Sequence, residues 1–86
     1  METRIALIGL IVEDNNSAER INAILHEYGD YIVGRMGIPY QKRKVAVISV
    51  IVNAPSDVIN SISGKFGMIP HVSSKTIYAK QSFADD

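Results

Sequence analysis

The chain reads as one α+β domain with the element order β-α-β-β-α-β. Three observations lead there: four short strand-like segments, two of them apolar runs rich in β-branched residues, two helical stripes set between them, and turn residues at the junctions. Its 86 residues suffice for one domain and not for two. The expected domain spans residues 1–80, and residues 81–86 read as a frayed tail.

Residues 4–12, Arg-Ile-Ala-Leu-Ile-Gly-Leu-Ile-Val, form the first expected strand, closed by the polar run Glu13-Asp14-Asn15-Asn16. A helix follows. Asn16 is its expected N-cap, with Glu19 three residues on as a capping-box partner. Ala18, Ile21, Leu25 and Tyr28 recur at helical spacing, and Gly29 is expected to end the helix in a left-handed conformation. Residues 31–38 form a weaker strand, in which Gly34 and Gly37 predict a bulge or a close backbone approach. Residues 39–43 connect it to residues 44–52, the clearest strand of the chain. Asn53-Ala54-Pro55 turns into a second helix, with Ser56 as expected cap and Gly67 as expected stop. Its buried stripe is Val58, Ile59, Ile62 and Phe66. Residues 72–80 form the last, more polar strand.

Strand–helix–strand units of this kind connect with a right hand when their strands lie parallel. The split βαβ arrangement fits the order and gives a ferredoxin-like fold. It predicts a four-stranded antiparallel sheet ordered 4-1-3-2 with both helices on one face. The central strands would be 1 and 3, which are also the most apolar.

That arrangement leaves one sheet face uncovered, and an uncovered face ordinarily alternates to polar residues. Here it does not. Strand 3 offers Val45, Val47, Ser49 and Ile51 on one side and Ala46, Ile48, Val50 and Val52 on the other. Strand 1 offers Ile5, Leu7, Gly9 and Ile11 against Ala6, Ile8, Leu10 and Val12. Both faces are apolar in either register, so a homo-oligomer, dimer or tetramer, is expected to form through the sheet.

Composition excludes several classes. No cysteine means no disulfide, thiolate metal site or cysteine nucleophile, which fits a reducing compartment. Nine basic residues balance nine acidic ones, so direct nucleic-acid binding is not expected. Apolar runs of about eight residues fall far short of a membrane span. No small-residue cleavage site follows the first apolar run, and the expected location is the cytoplasm. Glu13 and Asp14 are adjacent and point apart on a strand end, and no triad motif is present. The chain is therefore expected not to be an enzyme, and no cofactor is indicated.

Specific strings narrow the reading. Leu25-His26-Glu27-Tyr28-Gly29, Arg35-Met36-Gly37-Ile38-Pro39-Tyr40, Ser63-Gly64-Lys65-Phe66-Gly67-Met68 and Val72-Ser73-Ser74-Lys75-Thr76 occur together in a short chain. With these strings the sequence resembles the iron-only hydrogenase system regulator family over residues 1 to 80. The resemblance implies an ACT-like ferredoxin fold, similar to the ligand-sensing C-terminal domain of the nickel-responsive repressor. It also implies a regulatory module that binds a small effector at subunit interfaces. A protein partner is implied too, since these residues contain no helix-turn-helix or ribbon–helix–helix segment. The family often carries a glycine where His71 stands here. The loop between strand 1 and helix 1, Glu13 to Ser17, lacks the glycine of amino-acid-binding ACT domains.

Arg35, Tyr40, Gly64 and Lys65 are the candidate ligand-binding residues. Arg35 offers a fork to a carboxylate or phosphate, or serves as a charge guarding an edge strand. Tyr40 lies beside Lys42, Arg43 and Lys44, a basic cluster or a solvated loop. Gly64 costs about 1 kcal/mol against alanine inside a helix, which points to close packing, as against another subunit. Lys65 is equally explained by the helix dipole. Lys75 reads as an exposed strand residue. His26 and His71, with Glu27 or Asp30, are weak metal candidates, because no two stand at a chelating spacing. Two alternatives to a sensing module therefore stay open: a small dimeric α+β-barrel enzyme with an apolar intersubunit pocket, and a metal sensor using His26 and His71.

Overall fold

The computed structural model describes residues 2–84. Its elements are β1 (Glu2–Val12), α1 (Ala18–Glu27), β2 (Ile32–Tyr40), β3 (Val45–Ala54), α2 (Ser56–Gly67) and β4 (Val72–Ala84). The sheet is antiparallel throughout and ordered β2-β3-β1-β4. Read from the other edge, this is the expected 4-1-3-2, and the fold is ferredoxin-like.

Both helices cover the same face. Ile8, Leu10 and Val12 of β1 and Val50 and Val52 of β3 are buried against Ile21 and Leu25 of α1 and Ile59, Ile62 and Phe66 of α2. Polar contacts at the margins hold the helices in place. Tyr78 on β4 donates to Asn60 Oδ1 at 2.6 Å, and the Ser63 and Thr76 hydroxyls lie 2.7 Å apart. The Ser17 hydroxyl donates to the Pro70 carbonyl at 2.9 Å, tying the β1–α1 connection to the α2–β4 turn. The bulge expected in β2 is present: its register against β3 shifts between Ile32 and Gly34.

The helix ends depart from expectation. Asn16 is not a cap. Asp14 accepts from its backbone N–H at 2.9 Å, a single 3-10 turn occupies Asn15–Ser17, and α1 begins only at Ala18, which is exposed. Ser56 is the first residue of α2, and Pro55 takes the cap position. The Pro55 carbonyl accepts from Val58 and Ile59 at 3.0 and 3.1 Å, and its own missing N–H leaves no donor unpaired there. Neither Gly29 nor Gly67 has a positive φ. After Gly67 the chain tightens into i→i+3 bonds, Met68 to Lys65 and Ile69 to Phe66, because Ile69 must reach the core, where it is 4% exposed.

The left-handed residue near that junction is His71, at φ 64°. Its carbonyl accepts from Glu13 N–H at 2.9 Å, which pins the end of β1 to the start of β4. A side chain at such a φ costs about 1–2 kcal/mol, and glycine avoids this cost at the expense of greater freedom when unfolded. His71→Gly is therefore expected to stabilise the protein by about 0.5–1 kcal/mol in urea unfolding. A loss of stability would show that the imidazole holds something the backbone does not.

The C-terminal strand is also longer than expected. Residues 81–84, read as part of a frayed tail, continue β4, with Ser82, Phe83 and Ala84 opposite Arg4, Thr3 and Glu2. The register shifts between Arg4 and Ala6, so residues 79–81 of β4 stand opposite Ile5 alone. The extension exists because β1 begins at Glu2 and supplies a ladder for it. Residues 85–86 lie outside the described residues.

Candidate functional site: the open face of the sheet

Cross-strand register places the outward side chains in rows. Gly34, Ile51, Leu7 and Ile77 form one row, and Ile38, Val47, Ile11 and Ser73 form another. Between them run Met36, Ser49, Gly9 and Lys75. Tyr40 and Val45 extend the surface at the hairpin end. Leu7, Ile51 and Val47, on the two central strands, are 39%, 40% and 43% exposed, and Ile77, Met36 and Ile38 are more so. Four strands about 4.8 Å apart and about nine residues long give a face of roughly 570 Å². Apolar apart from Ser49, Ser73 and Lys75, a face of that size lies at the upper end of the largest patches that monomers expose, about 300–600 Å².

The face is not flat. A hollow of about 370 Å³ opens over Gly9, lined by Ile11, Val47, Ser49, Ser73 and Lys75. Two smaller hollows lie elsewhere. One, of about 320 Å³, sits between the helices beside Arg20, Ile24, Lys65 and Met68. The other, of about 290 Å³, sits at the β2–β3 hairpin beside Asn15, Pro39, Tyr40 and Lys44.

The four residues singled out from the sequence do not converge. Arg35 lies opposite Val50, on the helix side of β2, and its Nη1 donates to Asn22 Oδ1 of α1 at 3.1 Å. Tyr40 ends β2 at the hairpin hollow. Gly64 is exposed on α2, and a Cβ there would meet nothing within 4 Å, so close packing within the chain does not explain it. Lys65 grips both Glu27 carboxylate oxygens at 2.9 and 3.1 Å and stands 5.0 Å from the Tyr28 ring centre. The hydrogen bond to Glu27, with a further contribution from Tyr28, raises the Lys65 pKa above its ordinary 10.5. Lys65 is thus a clamp between the two helices.

His26 is exposed on α1, and His71 serves the turn through its backbone carbonyl. Among the described residues no three His, Asp or Glu side chains gather as a metal site would need. None of the helices there is long and apolar enough to cross a membrane. What the sequence left unmarked is the Ser49–Gly9–Lys75 row. Its one linear signal is a glycine in the middle of an apolar strand.

Fold and surface together define a ferredoxin-like α+β domain that buries one sheet face under helices and presents the other as an apolar surface with a hollow at its centre. Among known proteins this description has a specific counterpart. The chain belongs to the TM1266-like family, described as iron-only hydrogenase system regulator, whose model matches residues 4–76. The solved structure of the uncharacterized protein TM1266 from Thermotoga maritima is similar with a TM-score of 0.86 and 28% identity, covering 91% of this chain and 99% of that one. A formyltetrahydrofolate deformylase from Pseudomonas putida KT2440 is similar with a TM-score of 0.58 and 10% identity, covering 86% of this chain and 28% of that one. The latter likeness shows the fold alone. No curated protein matches the sequence.

Proposed function

We propose that the protein is a non-enzymatic regulatory module of an iron-only hydrogenase system, in which copies of the chain associate through their open sheet faces and hold a small effector between them. The observation that carries this reading is the apolar open face centred on Leu7, Val47 and Ile51. Two such faces together amount to roughly 1,100 Å², close to the lower end of stable protein interfaces. Burial of that area offsets an association cost of several kcal/mol. The family description supplies the system that is regulated. The balanced charge, nine basic against nine acidic residues, argues for a signal passed to a protein partner rather than directly to nucleic acid.

Deleting the gene in its host tests the regulatory role. The expected result is a several-fold change in iron-only hydrogenase transcript or activity, restored by the wild-type gene and not by an allele carrying Ile51→Lys. Unchanged transcript and activity in the deletion strain would overturn the reading.

A further inference from the structure

We propose that the hollow over Gly9 binds a small organic monoanion, a carboxylate carried on a compact apolar body, with Lys75 as its counter-charge. The inference deepens the effector part of the reading above and rests on it for the second sheet that would close the hollow.

Glycine in the interior of a central strand weakens that strand, and it is found where another group comes close. The fold itself gives no reason for Gly9. Its φ is not positive. A Cβ built on it would meet only the Lys75 backbone oxygen at 4.0 Å, an ordinary contact. What the missing side chain creates is space on the outward face. Ile11, two residues after it, and Val47, opposite Ile11 on β3, raise walls on that same face. Ser49 on one side and Lys75 on the other complete the row, and the result is the hollow of about 370 Å³.

The polar side chains on the open face around this space can all donate a hydrogen bond. Ser49 and Ser73 bring hydroxyls, and Lys75 brings an ammonium that has no hydrogen-bond or ion-pair partner among the described residues. An ammonium and two hydroxyls at the border of an apolar hollow select an anion. Each chain brings one cation to its own hollow, which matches one negative charge per chain. A dianion such as a phosphate ester would leave charge uncompensated against the Ile11 and Val47 walls, which is costly. A carboxylate meets the polar end, and a short alkyl or aryl body meets the walls.

Amide-resolved NMR titration of the full chain with 3-phenylpropionate, against neutral 3-phenylpropanamide, tests the assignment. The acid is expected to shift the Gly9, Ser49 and Lys75 amides saturably and to bind at least about ten-fold more tightly than the amide. Lys75→Gln is expected to abolish the preference for the acid. Gly9→Val, a favourable strand residue, is expected to abolish binding of both while the fold persists. Equal binding of acid and amide, no saturable binding, or unchanged binding to both variants would overturn the site. Sedimentation of the same samples separates this proposal from the assembly reading. An oligomer blind to the acid removes only the ligand site. A monomer that binds the acid through Lys75 supports the site and removes only the assembly.

Discussion

Ile51→Lys is expected to dissociate the protein into folded monomers. Ile51 sits on the central strand β3, directly opposite Leu7 and in the middle of the open face. In a face-to-face assembly an ammonium there would be withdrawn from water with no acidic side chain among its row neighbours Gly34, Leu7 and Ile77. Leaving a charge buried and unpaired costs several kcal/mol, a loss of about a thousand-fold or more in association. The monomer carries no such penalty. Its helix-side core of Ile8, Val50, Val52, Ile62 and Phe66 is untouched, and the lysine stem can lie along Leu7 while its charge reaches solvent. Sedimentation equilibrium paired with far-ultraviolet circular dichroism reads both halves of the expectation: a smaller mass with unchanged secondary structure. An unchanged oligomer carrying lysine at this position would mean that the open face is not the contact surface.

Phe66→Ala should have the largest effect on stability. Phe66 is 0% exposed, on the inner stripe of α2, and belongs to the buried cluster that both helices share with the sheet. Truncating a buried phenylalanine to alanine costs about 3–5 kcal/mol, combining lost transfer energy with the cavity left behind. A domain of this length holds roughly 4–13 kcal/mol in total, so the substitution removes a large share of it. The midpoint of urea unfolding, compared at one fixed protein concentration, measures the loss. A change below about 1 kcal/mol would show that the core relaxes around the missing ring far more than its packing suggests.

The strands and the sheet order were legible because two central strands with apolar residues on both sides admit few arrangements. Ile8 and Val50 are buried under the helices, while Leu7 and Ile51 point away from them. The helix stripe of Val58, Ile59, Ile62 and Phe66 was legible for the same reason of spacing. The helix ends were not. Gly67 looked like a left-handed stop, but the demand of Ile69 for the core carries the chain onward through i→i+3 bonds, and the left-handed turn falls at His71. Asn16 and Asp14 are both good caps, and only the 3-10 turn before α1 decides between them. The length of β4 depended on where β1 begins, a non-local fact.

The site was less legible than the fold. Arg35, Tyr40, Gly64 and Lys65 drew attention by residue type, yet the fold distributes them over the helix side of β2, the hairpin end and the outer surface of α2. Lys65 is already engaged by Glu27. The row of Ser49, Gly9 and Lys75 becomes visible only when three strands separated by dozens of residues are set in register. No spacing rule along the chain brings those positions together.

Native mass spectrometry of the wild-type protein at low micromolar concentration reads self-association through the open face without a substitution or a probe. Twice the 9.5 kDa chain mass, or a higher multiple, is the expected dominant species if the open faces pair. A dominant 9.5 kDa monomer would contradict it.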